Sequence, residues 1–161
     1  LVCHVNVSPR ELGHSELLRA VGSALESSGL SPSLLCLEIT EHTLMADPAT
    51  SMVLLSDLDA LGVRVTVDDF GTGASSISAL QRFPLTALKI DREFVAGLPD
   101  DPTARAVVGT IVALARALDL EVIAEGIETE EQANALVRLG CRTGQGFLYA
   151  APSTAAAFPA W

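Results

Sequence analysis

Seven side chains in this sequence are of the types that gather a divalent cation or act on a phosphate: Asn6, Glu38, Asp68, Asp69, Lys89, Glu125 and Gln145. All but Asp69 close a short apolar run, as in VRVTVDD, LKI and VIAE, so each is expected at the C-terminal end of a strand. Several carboxylates and an amide oxygen, with no sulfur or imidazole among them, suit a hard cation such as magnesium or manganese; zinc is the weaker match. Two such ions sharing a carboxylate are built for phosphoryl chemistry, in which one activates water and both neutralise the phosphate oxygens. Asp68 is the natural bridge, as the first acid at its strand tip, with Asp69 beside it on the emerging loop. Acidic neighbours keep Lys89 protonated, which makes it positive electrostatic support rather than a free base.

Taken singly, these residues have plainer readings. Glu38 alone is a surface glutamate, Asp68-Asp69 a cap or loop device, and Lys89 a solvated lysine or a partner for Asp91. Their joint placement at strand ends favours a site. In DDFGTGASS, Gly71 and Gly73 permit a tight loop beside the acids, while Thr72, Ser75 and Ser76 can hydrogen-bond locally. The spacing does not match a Walker loop. Glu41 and Glu128, three residues after Glu38 and Glu125, are candidates for holding loops rather than for direct contact with an ion. His4, His14 and His42 form no HExxH-like pair and read as strand-surface or loop residues. Cys3, Cys36 and Cys141 form neither a disulfide framework nor a zinc clamp and read as small buried thiols of a reducing cytoplasm.

The elements that must position these groups alternate in type. Period-two runs predict strands over 1–7, 34–40, 63–68, 85–90 and 122–124, with a sixth at 141–145. Helical spacing predicts helices over 16–29, with Ser15 as a possible cap, and over 52–61, 103–118 and 130–139, with a short helical turn at 77–81. Strand then helix, repeated every 25 to 35 residues or so, is the signature of a parallel sheet. Polar groups at many strand ends fit the top face of a (β/α)8 barrel, and no glycine fingerprint of a dinucleotide-binding sheet is present. Six strands cannot close an eight-stranded barrel and the chain opens inside a strand without methionine, so the expectation is a modified TIM barrel, here partial, whose first part lies outside the segment. The alanine-rich tail 150–161 is expected to be a closing turn or short helix.

Composition bounds the partners. The 161 residues carry 10 basic and 20 acidic side chains, a formal charge of -10, and 49% hydrophobic residues, enough for a folded core. The negative field disfavours duplex nucleic acid and anionic lipid. No run reaches the roughly 18 apolar residues of a membrane span, so no membrane contact is expected from this segment.

The segments VNVSPREL, LEITE, DDFGTGASS, LKIDREFV, IAEGIE and GCRTGQGFLYA occur in series, and through them the chain strongly resembles the EAL-domain family of cyclic di-GMP phosphodiesterases from residue 1 to about residue 152. The resemblance implies a modified TIM barrel in which two Mg2+ or Mn2+ ions support hydrolysis of cyclic di-GMP to linear pGpG in bacterial second-messenger signalling. By motif match, Asn6, Glu38, Asp68, Asp69 and Glu125 are similar to the family's metal-binding positions. Lys89 resembles its lysine near the catalytic water and Gln145 its glutamine near substrate and water, so Lys89, Glu125 and Gln145 form the expected catalytic set. Glu41 resembles the glutamate that steadies the loop after DDFG, Glu128 the second acid of EGxE, and Asp91 a residue that organises Lys89 and a dimer-facing loop. The signature Glu-Ala-Leu strand and the arginine behind it have no counterpart in this segment, and Ala74 stands where tyrosine is common. The resemblance further implies a homodimer, fusion to GGDEF, PAS or other sensory domains, and a cytoplasmic setting, alone or as the cytoplasmic domain of a membrane-anchored protein. A catalytically inactive cyclic di-GMP receptor and a degenerate partner-binding module are the alternatives for the same residues; the first would keep the pocket and lose the chemistry.

Overall fold

The computed structural model describes residues 2–10, 15–72 and 77–154. His14, the Ser15 side chain, Gly73, Ala74, Ser75, Ser76 and the tail beyond 154 lie outside what is described. The elements run β1 (Cys3–Asn6), α1 (Ser15–Ser28), β2 (Leu35–Thr40), α2 (Glu41–Ala46), α3 (Pro48–Ala60), β3 (Arg64–Phe70), α4 (Ile77–Leu80), β4 (Ala87–Ile90), α5 (Arg92–Ala96), α6 (Pro102–Ala117), β5 (Glu121–Ala124), α7 (Glu130–Leu139) and β6 (Thr143–Gly144), with a 3-10 turn at Pro32–Leu34.

All six strands are parallel and lie in chain order, β1-β2-β3-β4-β5-β6. A doubly wound sheet reverses its strand order at a switch point; sequential order with crossovers of one hand leaves every helix on the same face. The other face then curls inward, and the molecule is a partial (β/α) barrel as the strand-end pattern predicts.

Side-chain alternation sorts the strands into those two faces. Leu37, Ile39, Val65, Val67, Leu88, Ile90 and Ala124 are buried in one cluster with Leu54, Leu55 and Leu58 of α3 and Val108, Ile111, Val112 and Ala115 of α6. Each such valine, leucine or isoleucine contributes about 1.5–3 kcal/mol by leaving water. The residues between them, Cys36, Glu38, Thr66, Asp68 and Lys89, share the inner face. Hydrophobic packing therefore fixes the strands, and the strands hold the polar groups.

Several boundaries differ from expectation for identifiable reasons. α3 and α6 begin at Pro48 and Pro102 rather than near 52 and 103, because Asp47 and Asp101 cap them by accepting from the backbone N–H of Thr50 and Thr103, and proline fits the first helical turn. The periodicity predicts nothing at α2 or α5, since six and five residues hold fewer than two turns. Glu38 does not end its strand: β2 continues to Thr40, so this carboxylate lies deeper in the barrel than the other acids. Glu125 and Gln145 instead directly follow β5 and β6, their backbone N–H groups continuing the ladder to Ile90 and Ala124.

Candidate functional site

Consecutive strand residues point to opposite faces, so a regular β3 could not turn both Asp68 and Asp69 inward. The strand is irregular at that point. Val67 pairs with Leu88 and Phe70 with Ile90, so three steps along β3 match two along β4. The extra residue is a bulge, a device that re-aims side chains beside functional sites. Asp69 takes φ of 53°, in the left-handed region that non-glycine residues seldom enter. As a result one oxygen each from Asp68, Asp69 and Glu125 lie within 4.8 Å of one another.

Lys89 reaches into this cluster from β4. Its Nζ lies 2.6 Å from Glu125 Oε1, 2.8 Å from Glu38 Oε2 and 3.1 Å from Asp68 Oδ1, with the residue only 2% exposed. Burial alone opposes its charge, yet the hydrogen bonds to Glu125 and Glu38 and the charges of Glu125 and Asp68 outweigh burial and raise its pKa. Lys89 therefore stays an ammonium at neutral pH and is a poor proton donor or acceptor there. Burial raises the pKa of Glu125, and the nearby Asp68 and Glu38 charges add to it, while Lys89 pulls the other way. Gln145 Nε2 donates to Glu125 Oε1 at 2.8 Å, which joins the end of β6 to the same carboxylate.

Asn6 is in register with Glu38 on the neighbouring strand. Glu38 uses both oxygens: Oε2 accepts from Lys89, and Oε1 is 2.8 Å from His4 Nδ1. The sequence gives His4 no site role, although alternation along CHVN puts it on the same face as Asn6; that alternation is the signal by which it could have been found.

The supporting residues divide. Glu41, at the start of α2 and 2% exposed, accepts from the Gly71 backbone N–H at 2.9 Å through Oε2, while its buried Oε1 has no hydrogen-bond partner among the described residues. Thr72 Oγ1 donates to the Asp69 carbonyl at 2.9 Å, closing the turn locally. Gly71 has φ of 101°, and a Cβ there would sit 3.0 Å from Phe94 Cε2 and 3.2 Å from Ile111 Cδ1. Gly71→Ala is expected to destabilise the protein by about 1–3 kcal/mol through that conformation alone, read as a lower midpoint in chemical denaturation; an unchanged midpoint would contradict the tight-loop role. Glu128 stands exposed beside the Thr129–Gln132 capping box of α7 and is not brought to the acids. Gly73 lies outside the described residues.

Asp91 is positioned by the helix that follows it: its carboxylate caps α5, accepting from Glu93 N at 2.6 Å, and stands near enough to Asp69 to disfavour a second negative charge there. Burial, the Asp68 charge and the nearness of Asp91 raise the Asp69 pKa above its ordinary 3.8. A carboxylate raised in the folded state binds extra protons there. Its contribution to metal-free stability therefore worsens as pH climbs from about 3.8 through the raised value. A cation must displace the same proton, so Mn2+ affinity should climb over that range. Asp91→Asn retains an oxygen for Glu93 N and removes the charge facing Asp69. The affinity-versus-pH midpoint, followed by the electron paramagnetic resonance of free Mn2+, is expected to move to lower pH; an unmoved midpoint would contradict the influence of Asp91 on Asp69.

The donor set fits a hard divalent cation. Asp68, Asp69 and Glu125 supply convergent anionic oxygens, and Glu38 and Asn6 flank them from adjacent strands. Three carboxylates, those of Glu38, Asp68 and Glu125, pair with the Lys89 ammonium, and Asp69 adds a fourth beside Asp68 and Glu125, an excess of negative charge that cations would offset.

Comparison with known proteins sets this geometry in context. The model of the EAL domain family matches residues 1–152. The bifunctional diguanylate cyclase/cyclic di-GMP phosphodiesterase MucR of Pseudomonas aeruginosa is 48% identical over 151 residues, covering 94% of this chain and 22% of the relative. The solved PaMucR phosphodiesterase in complex with c-di-GMP superposes with a TM-score of 0.93 at 46% identity, covering 96% of this chain and 63% of that one. The manganese/cy-diGMP complex of Klebsiella pneumoniae BlrP1 superposes with a TM-score of 0.84 at 32% identity, covering 91% and 38%. The chain thus spans about a fifth of the curated relative's length.

Proposed function

This chain belongs to the EAL domain family, and on that premise we propose that the protein containing it hydrolyses cyclic di-GMP to linear pGpG with two Mg2+ or Mn2+ ions. The observation that carries the reading is the convergence of Asp68, Asp69 and Glu125 on one point with the Lys89 ammonium against them. The phosphodiesterase names of similar proteins and the manganese in the BlrP1 complex support it. Asn6, Glu38, Asp68, Asp69 and Glu125 would hold the ions. Bound divalent ions supply a water of lowered pKa and neutralise phosphate charge.

The chain's own residues do the rest. Lys89 keeps a fixed positive charge where negative charge gathers on the phosphate as water attacks. Gln145 holds the Glu125 carboxylate in place through Nε2. Glu41 ties the start of the loop after β3 to α2, so the bulge that turns Asp69 inward is anchored from outside. In the reaction, water oxygen forms a new bond to phosphorus, the bond from phosphorus to the ribose O3′ breaks, and the released O3′ takes a proton. The phosphate stays on the 5′ side, as pGpG requires.

Membership of a larger signalling protein, as a homodimer fused to GGDEF, PAS or other sensory domains, is part of the proposal; the bifunctional name of MucR, of which the chain matches 22%, supports a fusion with a diguanylate cyclase domain. No helix among the described residues is long and apolar enough to cross a membrane. Turnover of cyclic di-GMP in 18O-enriched water with Mn2+ tests the mechanism. The expected product is pGpG with one 18O on its terminal phosphate; product without the label would contradict attack by water at phosphorus.

A further inference from the structure

His4 lies on the inner face of β1, two residues before Asn6, and its Nδ1 is 2.8 Å from Glu38 Oε1. Register places its backbone opposite Cys36 rather than Glu38, so the imidazole leans along the strand direction to reach the acid. We propose that His4 is a positioning residue for the metal centre: it donates from Nδ1 to one oxygen of Glu38 and fixes that carboxylate's plane. The inference rests on the metal-binding reading of Glu38 given above.

The argument is one of orientation. Glu38 is 6% exposed and sits below the other acids, so protein partners chiefly set its orientation. Lys89 holds Oε2 at 2.8 Å, but its ammonium is shared with Asp68 and Glu125. The imidazole comes from a different strand and touches no other acid of the cluster in the described hydrogen bonds, so its hold on Oε1 is undivided. A carboxylate with one oxygen fixed presents the other at a set angle, and partners of this kind commonly carry about 10–100-fold in metal affinity. Neither the Cys36 Sγ–Thr66 Oγ1 contact nor the Arg64–Glu121 pair deeper on the same face reaches Glu38, so neither substitutes for His4.

The test is Mn2+ binding to the longest native protein containing this segment, followed by the electron paramagnetic resonance of free Mn2+ without substrate. His4→Leu, close in size and without a donor, is expected to weaken binding by about 10-fold or more at an unchanged melting temperature. His4→Asn, whose Nδ2 is as many bonds from the backbone as the imidazole Nδ1, is expected to restore most of it. Equal affinity for native and His4→Leu protein overturns the inference while leaving the metal centre standing. No Mn2+ binding by the native protein overturns both. A second measurement does not depend on the leucine variant folding: in histidine-selective 15N spectra of the Mg2+-bound native protein, the imidazole assigned by His4→Asn must carry its proton on Nδ1. A bare Nδ1 there overturns the proposal.

Discussion

Lys89→Met is expected to abolish hydrolysis of cyclic di-GMP and, in metal-free protein, to lower stability by about 3–5 kcal/mol. The second effect follows from burial. Lys89 is 2% exposed and forms ion pairs with Glu38, Asp68 and Glu125. Methionine fills similar volume but leaves those carboxylates facing each other with no cation among them. A divalent ion can take over that neutralisation, so added Mn2+ should raise the variant's denaturation midpoint more than the native one. Chemical denaturation with chelator and then with Mn2+ measures both. A variant with native activity, or with a native midpoint in chelator, would show that the ammonium is not what holds these acids together.

Asp68→Asn should separate chemistry from stability in the opposite sense. The amide keeps the shape and can still accept from the Asp69 N–H through Oδ1, 3.1 Å away in the native chain. It removes one negative charge from the point where Asp69 and Glu125 converge. Like-charge repulsion in the metal-free protein falls, so its stability should hold or rise, while metal affinity and turnover drop by more than the ~100-fold that loss of a partner outside the donor set can cost. Turnover at saturating Mn2+, with denaturation in chelator, checks the pair of signs. Parallel losses in both would mean Asp68 is principally a folding residue.

Much of this architecture is legible in the sequence, because parallel strands covered by helices on one face impose simple periods. Val63, Val65 and Val67 against Arg64, Thr66 and Asp68 show a strand with an apolar and a polar side. Val107, Ile111, Leu114 and Leu118 show the helix stripe that covers the sheet. The bulge at Asp68-Asp69 is not legible, since VTVDDF reads equally well as uninterrupted alternation and the extra residue shows only against the β4 register. The His4–Glu38 contact depends in the same way on how β1 is set against β2. Short α2 and α5 escape periodicity, although Glu41 does its work from the first turn of one and Asp91 caps the other. Asp47-Pro48 and Asp101-Pro102 are local cap signals that an apolar count passes over. Within the site, residue types point to a hard-cation cluster, while the approach of Asp91 to Asp69 is set by tertiary packing that spacing does not encode, and Glu128 stays exposed beside α7.

The most direct measurement is chromatographic separation of cyclic and linear dinucleotide after the longest native protein containing this chain is incubated with cyclic di-GMP and Mg2+ or Mn2+. Metal-dependent appearance of pGpG that stops on chelation is the predicted result. Folded protein that binds cyclic di-GMP and leaves it intact under both metals would contradict the account and make the strand-end acids a receptor's pocket.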